Sequence, residues 1–277
     1  MENHIFETEI GGKKVTVETG RYCEQADGTC WVKCGETVIM VNVTMAEQPR
    51  PGIDFFPLGV DFEEKMYSVG KIPGGFKKRE GRPSDKAILT SRLIDRPLRP
   101  LFPKGFFNDV SVVATALSID PDVAPEPLAM LGSSFALTIS GIPFAGPTGS
   151  VNVALIDGKY IANPNNEERE KSRMSLTVSG TRDAVLMVEA GAKEVTEEEM
   201  LGGIMFAHDI IKKLVDFQLK AKEEIGKTPK EVEYYVIDKE LEDAVRAYAS
   251  EKLDYALDTF NRQERQTRQD EVDKDVK

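Results

Sequence analysis

The sequence predicts a fold of mixed strands and helices, followed by a segment that is helical only. Three observations predict it. Short apolar runs broken by glycine turns fill the first 45 residues, and two stretches with apolar residues at helical spacing lie among later strand-like runs. From Lys239 onward helical spacing continues with neither Gly nor Pro. With 277 residues, 40% hydrophobic and 30% charged, the chain has an ordinary globular composition and the length for one large domain or two modest ones.

The elements follow in order. Gly11-Gly12 separates Thr8-Glu9-Ile10 from Val15-Thr16-Val17, Asp27-Gly28 precedes Cys30-Trp31-Val32, and Cys34-Gly35 precedes the run Val38 to Val43, so hairpins of one antiparallel sheet are expected. Pro83-Ser84-Asp85 opens a helix through Ile88, Leu89 and Leu93 that is expected to stop at Arg96-Pro97, because proline lacks the donor a helix interior needs. A strand is expected from Val110 to Ile119, and a buried helix from Pro125 to Thr138, whose small residues Ala129, Gly132 and Ser133 allow close packing on a sheet. Strands are then expected at 151–156, 160–162, 175–179 and 185–189. Thr196-x-x-Glu199 is a capping box that starts the helix carrying His208. Lys227-Thr228-Pro229 reads as a linker, and Leu241, Val245, Tyr248, Leu253 and Leu257 as a helical face that needs covering; 261–277 is almost wholly polar.

Several function classes are disfavoured. No apolar run approaches the 18 to 20 residues of a membrane span, and the start Met1-Glu2-Asn3-His4 has no secretory pattern, so no membrane partner is expected. Cys23, Cys30 and Cys34 are an odd number without a Cys-x-x-Cys pair, and the only histidines, His4 and His208, lie at opposite ends of the chain. We expect free thiols in a reducing compartment, and a packed rather than catalytic His208 among Leu201, Ile204, Ile211 and Val215.

The net charge of -11 argues against indiscriminate nucleic-acid binding, yet its distribution is uneven. Lys71 to Lys104 holds ten basic residues against three acidic ones, a net +7 that leaves -18 for the remainder. At its head stands Gly70-Lys71-Ile72-Pro73-Gly74-Gly75-Phe76-Lys77-Lys78-Arg79-Glu80-Gly81-Arg82-Pro83-Ser84. Glycines and prolines hold a loop open while one aromatic and several cations project. An aromatic can stack on any base as neighbouring cations follow the phosphates, which is how single strands are gripped without sequence preference. Arg92 and Arg96 share a helix face, with Arg99 just beyond. A P-loop is excluded, since its Gly-Lys-Ser/Thr ending is missing.

This loop, the following Arg92-Leu93-Ile94-Asp95-Arg96-Pro97-Leu98-Arg99-Pro100-Leu101-Phe102, and later runs such as Gly132-Ser133-Ser134-Phe135, Ile142-Pro143-Phe144, Val188-Glu189-Ala190-Gly191 and Ile204-Met205-Phe206-Ala207-His208 resemble the first ribonuclease PH-like domain of the bacterial polynucleotide phosphorylase family. The resemblance implies an α+β fold of ribonuclease PH-like (ribosomal protein S5 domain 2-like) type, followed by an incomplete all-helical domain. Its N-terminal part would be 1–142, its C-terminal part 143–226, and the start of the helical linker domain 227–277. The implied activity is phosphate-dependent degradation of single-stranded RNA from the 3′ end to nucleoside diphosphates, reversibly, by a cytoplasmic homotrimer in mRNA decay, with further domains and RNA-decay proteins as partners.

In that family inorganic phosphate and Mg²⁺ or Mn²⁺ belong to the second PH-like domain, so neither is expected here. Where the catalytic copy offers serines to phosphate, this chain has Ala124-Pro125-Glu126; where it has two metal-binding aspartates and a lysine, our alignment places Arg169, Ser175 and Thr177. No catalytic or metal-binding residue is therefore expected in this chain. The resemblance instead assigns RNA contacts to Phe76, Lys77, Lys78, Arg79, Arg82, Arg92, Arg96 and Arg99. Lys77 departs from relatives that carry a second Phe there, exchanging a stacking contact for a phosphate contact. A self-sufficient ribonuclease PH-type enzyme and a pure oligomerisation module are the alternatives.

Overall fold

The computed structural model describes residues 2–277, with ten strands, six α-helices and two 3₁₀ turns among them. Strands β1 (His4–Ile10), β2 (Lys13–Thr19), β3 (Gly28–Cys34) and β4 (Thr37–Met45) form an antiparallel meander. Gly11 and Gly12 turn β1 into β2 with φ of 57° and 77°, the positive pair that a two-residue hairpin requires.

The sheet does not remain antiparallel. β5 (Leu58–Glu64) leads through the 3₁₀ turn Met66–Val69, the basic loop, α1 (Asp85–Leu98) and the 3₁₀ turn Arg99–Leu101 to β6 (Val110–Ser118). β6 pairs antiparallel with β4 and parallel with β5, giving the order β1-β2-β3-β4-β6-β5. A parallel neighbour needs a long crossover, and the basic loop and α1 provide it.

α1 also departs from expectation by continuing through Pro97 to Leu98. Proline costs the bond to the carbonyl four residues earlier, but its φ is helical, so in the last turn it need not end the helix. Arg99 N–H still reaches Asp95 O and closes that turn.

Helix α2 (Pro125–Ile139) packs on the inner face of this sheet, and all of its residues except Glu126 are buried. Gly132 permits the approach: a Cβ there would lie 2.9 Å from Val32 Cγ2 and 2.8 Å from Val41 Cγ2. Phe6, Phe135 and Phe217 meet where β1, α2 and a later helix converge. Cys30 Sγ donates to Gly132 O at 3.3 Å, and Cys23, Cys30 and Cys34 are all free thiols.

A separate antiparallel sheet follows, built from the strands expected after α2. It contains β7 (Gly149–Ile156), β8 (Lys159–Ala162), β9 (Met174–Gly180) and β10 (Val185–Ala192), in the order β10-β9-β7-β8. The short helix α3 (Asn166–Lys171), capped reciprocally by Asn165 and Glu168, lies between β8 and β9. The long helix α4 (Glu197–Ile225) opens on the Thr196–Glu199 capping box and packs on β7 and β9. On it His208 is 9% exposed, with Nε2 3.2 Å from Thr181 O, so its ring is a packed element of the fold.

The chain divides into two compact units, one ending at Glu233 and the other spanning Tyr234–Lys277. Beyond α4 the backbone still follows the first unit: Lys227 N–H donates to Ile139 O and Lys230 N–H to Gly141 O, while the Lys230 ammonium pairs with Asp27. The second unit contains α5 (Lys239–Leu257) and α6 (Arg262–Val276). In it Lys252 and Tyr248 of α5 both reach Asp275 of α6, and Arg268 lies over the Tyr255 ring. α6 forms despite its polar composition because Asn261 caps it, accepting from Gln263 and Glu264 N–H. No helix among the described residues is long and apolar enough to cross a membrane.

Candidate nucleic-acid interface

The basic loop rises from a fixed base. The 3₁₀ turn before it ends on Gly70 at φ 71°, with Gly70 and Lys71 N–H returning to Tyr67 and Met66 carbonyls. On the far side, Glu80 Oε1 accepts from Met66 N–H at 2.9 Å and draws the two limbs together. Ser84 Oγ then caps α1 by accepting from Ala87 N–H at 3.0 Å, and lies 3.3 Å from Glu64 Oε2. Neither anchor was singled out from the sequence as a loop support. The Ser84 cap was legible from its spacing to α1, whereas the reach of Glu80 to Met66 was not.

Between these anchors a turn closes with Lys78 N–H donating to Gly75 O at 3.0 Å, so Phe76 and Lys77 occupy its apex. Phe76 is fully exposed, and Lys77, Lys78, Arg79 and Arg82 are exposed without an ion pair among the described residues. A cation without a protein carboxylate keeps its full charge for an incoming anion.

On α1 the three arginines have different surroundings. Arg92 is exposed and lines a cleft with Asp61, Glu63 and Asp95. Arg96 is exposed but lies 3.2 Å from Glu189 on β10. Arg99 is structural in this arrangement: it grips both oxygens of Asp95 at 2.8 and 2.6 Å and donates to Phe56 O and Leu58 O at 3.2 and 3.1 Å. With Ser91 Oγ accepting from Phe62 N–H at 2.9 Å, Arg99 covers the outer edge of β5 with α1. Two of the three arginines are thus already engaged by protein groups.

Models of the 3′ exoribonuclease family match two successive stretches, its domain 1 over 11–143 and its domain 2 over 146–210. The chain belongs to the 3′ exoribonuclease family. Curated relatives named polyribonucleotide nucleotidyltransferase include those of Clostridioides difficile (57% identical, covering 98% of this chain and 39% of that protein), Listeria welshimeri (52%, 99% and 38%) and Caldicellulosiruptor saccharolyticus (51%, 100% and 39%). The chain therefore spans under two-fifths of their length. A solved structure of rice (Oryza sativa) Rrp46 shares the fold, with a TM-score of 0.60 at 14% identity over 79% of this chain and 94% of that one.

In this exoribonuclease-family chain, the α2 N-terminus is occupied by the protein's own charges. Ala124 caps α2 without a side-chain acceptor, and Glu126 in its first turn pairs with Lys86 Nζ at 2.9 Å. Burial opposes the charge on Lys86, yet its hydrogen bond to Glu126 and the charges of Glu126 and Glu64 hold its pKa above the usual lysine value. A helix N-terminus attracts anions, and here a glutamate stands in that field. The positions aligned with metal ligands do not fit a hard divalent ion, which takes oxygen ligands and favours carboxylates. Arg169 lies on α3 and donates to Pro121 O, Ser175 is exposed, and Thr177 Oγ1 donates to Asn152 Oδ1.

Proposed function

We propose that this chain is the RNA-channel and trimer-forming, noncatalytic portion of a phosphate-dependent 3′-to-5′ exoribonuclease that converts RNA and inorganic phosphate to nucleoside diphosphates, reversibly, in mRNA decay. The observation that carries the proposal is the anchored loop, with fully exposed Phe76 at its apex and unpaired Lys77, Lys78, Arg79 and Arg82 beside it. Phe76 stacks on a base and the cations hold the flanking phosphates, which accepts any sequence. Arg92 extends the track along α1, Arg96 joins it when RNA phosphate displaces Glu189, and Arg99 supports the helix from behind.

The chemistry lies elsewhere in this proposal. The Glu126–Lys86 pair at the α2 N-terminus leaves no favourable seat for phosphate, and Arg169, Ser175 and Thr177 give a divalent ion no carboxylate. Inorganic phosphate and Mg²⁺ or Mn²⁺ are then bound by parts of the enzyme outside this chain. The assembly is a cytoplasmic homotrimer with RNA-decay proteins among its partners.

The test is phosphate-dependent release of nucleoside diphosphates from oligo(A) by the purified chain with Mg²⁺ present, with RNA binding measured alongside. Salt-sensitive binding without release is expected. Robust release would refute the noncatalytic assignment, and absence of binding would favour a pure oligomerisation module.

A further inference from the structure

We infer that Tyr67 is a second nucleobase-stacking surface for single-stranded RNA, standing at the base of the loop whose apex carries Phe76. The inference rests on the RNA-binding reading of that loop. Tyr67 lies in the 3₁₀ turn Met66–Val69, and its backbone is fixed from several sides. Met66 N–H is held by Glu80, Tyr67 O accepts from Gly70 N–H, and Ser68 O accepts from Ile119 N–H. Ser68 is the buried residue of this turn, whereas the Tyr67 side chain is turned outward and is 56% exposed. Its ring makes no aromatic contact and its hydroxyl no hydrogen bond among the described residues.

An exposed aromatic on a fixed backbone loses little conformational entropy when it captures a partner. Here its neighbourhood also suits RNA. The Glu80 to Met66 contact brings the returning limb of the loop, with Arg79 and Arg82 on either side of Glu80, next to Tyr67. The loop thus carries an aromatic at its base, an aromatic at its apex, and the unpaired cations on the limb that returns from the apex to the base. Two stacking surfaces separated by phosphate grips define a track for successive nucleotides, where a single aromatic at the apex would hold only one.

Fluorescence anisotropy of labelled oligo(A) with the full chain tests the inference, using Tyr67→Ala, Tyr67→Phe and Phe76→Ala across a salt series. Tyr67→Ala is expected to weaken binding by about 5- to 150-fold, the span for losing one base stack, with the slope of log affinity against log salt unchanged. Tyr67→Phe is expected to bind within about twofold of the parent, since the ring face is retained. An abasic oligomer should bind the parent and Tyr67→Ala equally. Unchanged affinity of Tyr67→Ala beside a weakened Phe76→Ala would overturn this inference alone. A changed sedimentation coefficient for Tyr67→Ala would identify Tyr67 as an assembly contact and overturn it as well. If the parent does not bind RNA, the reading of the loop itself fails, and this inference with it.

Discussion

Phe76 and Arg79 lie within four residues of each other, yet they contribute to RNA affinity through different physics. Stacking is insensitive to salt, whereas each phosphate neutralised on a single strand adds about -0.7 to the slope of log affinity against log salt. Phe76→Ala should therefore weaken binding by about 1 to 3 kcal/mol with the slope intact. Arg79→Ala should flatten the slope by about 0.7, and equal slopes in a salt titration of the two variants would refute this division. Arg99→Ala is expected to act on folding, lowering stability by about 1 to 2 kcal/mol in urea titration because the Phe56 and Leu58 carbonyls, just before and at the start of β5, and Asp95 lose their donor. That figure is modest since water reaches the Arg99 head group. Glu18 is buried beside Lys33 Nζ at 2.8 Å, and that hydrogen bond, outweighing the opposing effect of burial, holds its carboxyl below the usual range. A depressed folded-state pKa stabilises above the unfolded value of about 4.3 and is lost as pH falls through the folded value. Glu18→Gln should flatten this acid limb in a series of thermal melts.

Elements differ in how their positions were encoded. The β1 to β4 meander was legible because glycine turns and local alternation specify a hairpin without reference to distant residues. β5 was not, although Leu58, Val60 and Phe62 alternate, because its partner β6 begins more than 40 residues later and a parallel pairing leaves no local mark. The division into two sheets was hidden for the same reason, since strand order depends on long-range packing. At the α1 boundary Ser84 marks the start by its spacing, while Pro97 lies in the last turn, where a proline need not end a helix. The basic loop was legible from composition, but the engagement of Arg99 by Phe56 and Leu58 was not, since carbonyls more than 40 residues away cannot be seen in a helix pattern. Ser84→Ala should cost about 1 kcal/mol and speed amide exchange in the first turn of α1, next to the loop. An unchanged exchange profile would show that α1 is held by its packing alone.

At the scale of the whole molecule, the compact-unit boundary lies after Glu233, although the composition changes near Gly226. Lys227 and Lys230 explain the difference, because their backbone N–H groups satisfy carbonyls at the end of α2 and just after it. A chain ending at Glu233 should melt at the temperature of the first unit in the full chain. One ending at Gly226 should melt several degrees lower, as it leaves the carbonyls of Ile139 and Gly141 without these donors.

The three thiols of this chain are also unequal. Burial pushes the Cys30 thiol far above its usual range and raises that of Cys34, while Cys23 is exposed in the loop between β2 and β3. Because the thiolate is the species that reacts, a maleimide dye should label Cys23 and leave the other two untouched. Each copy would then carry a single fluorophore, and the number of photobleaching steps per particle would count the copies in the assembly directly. A homotrimer gives three.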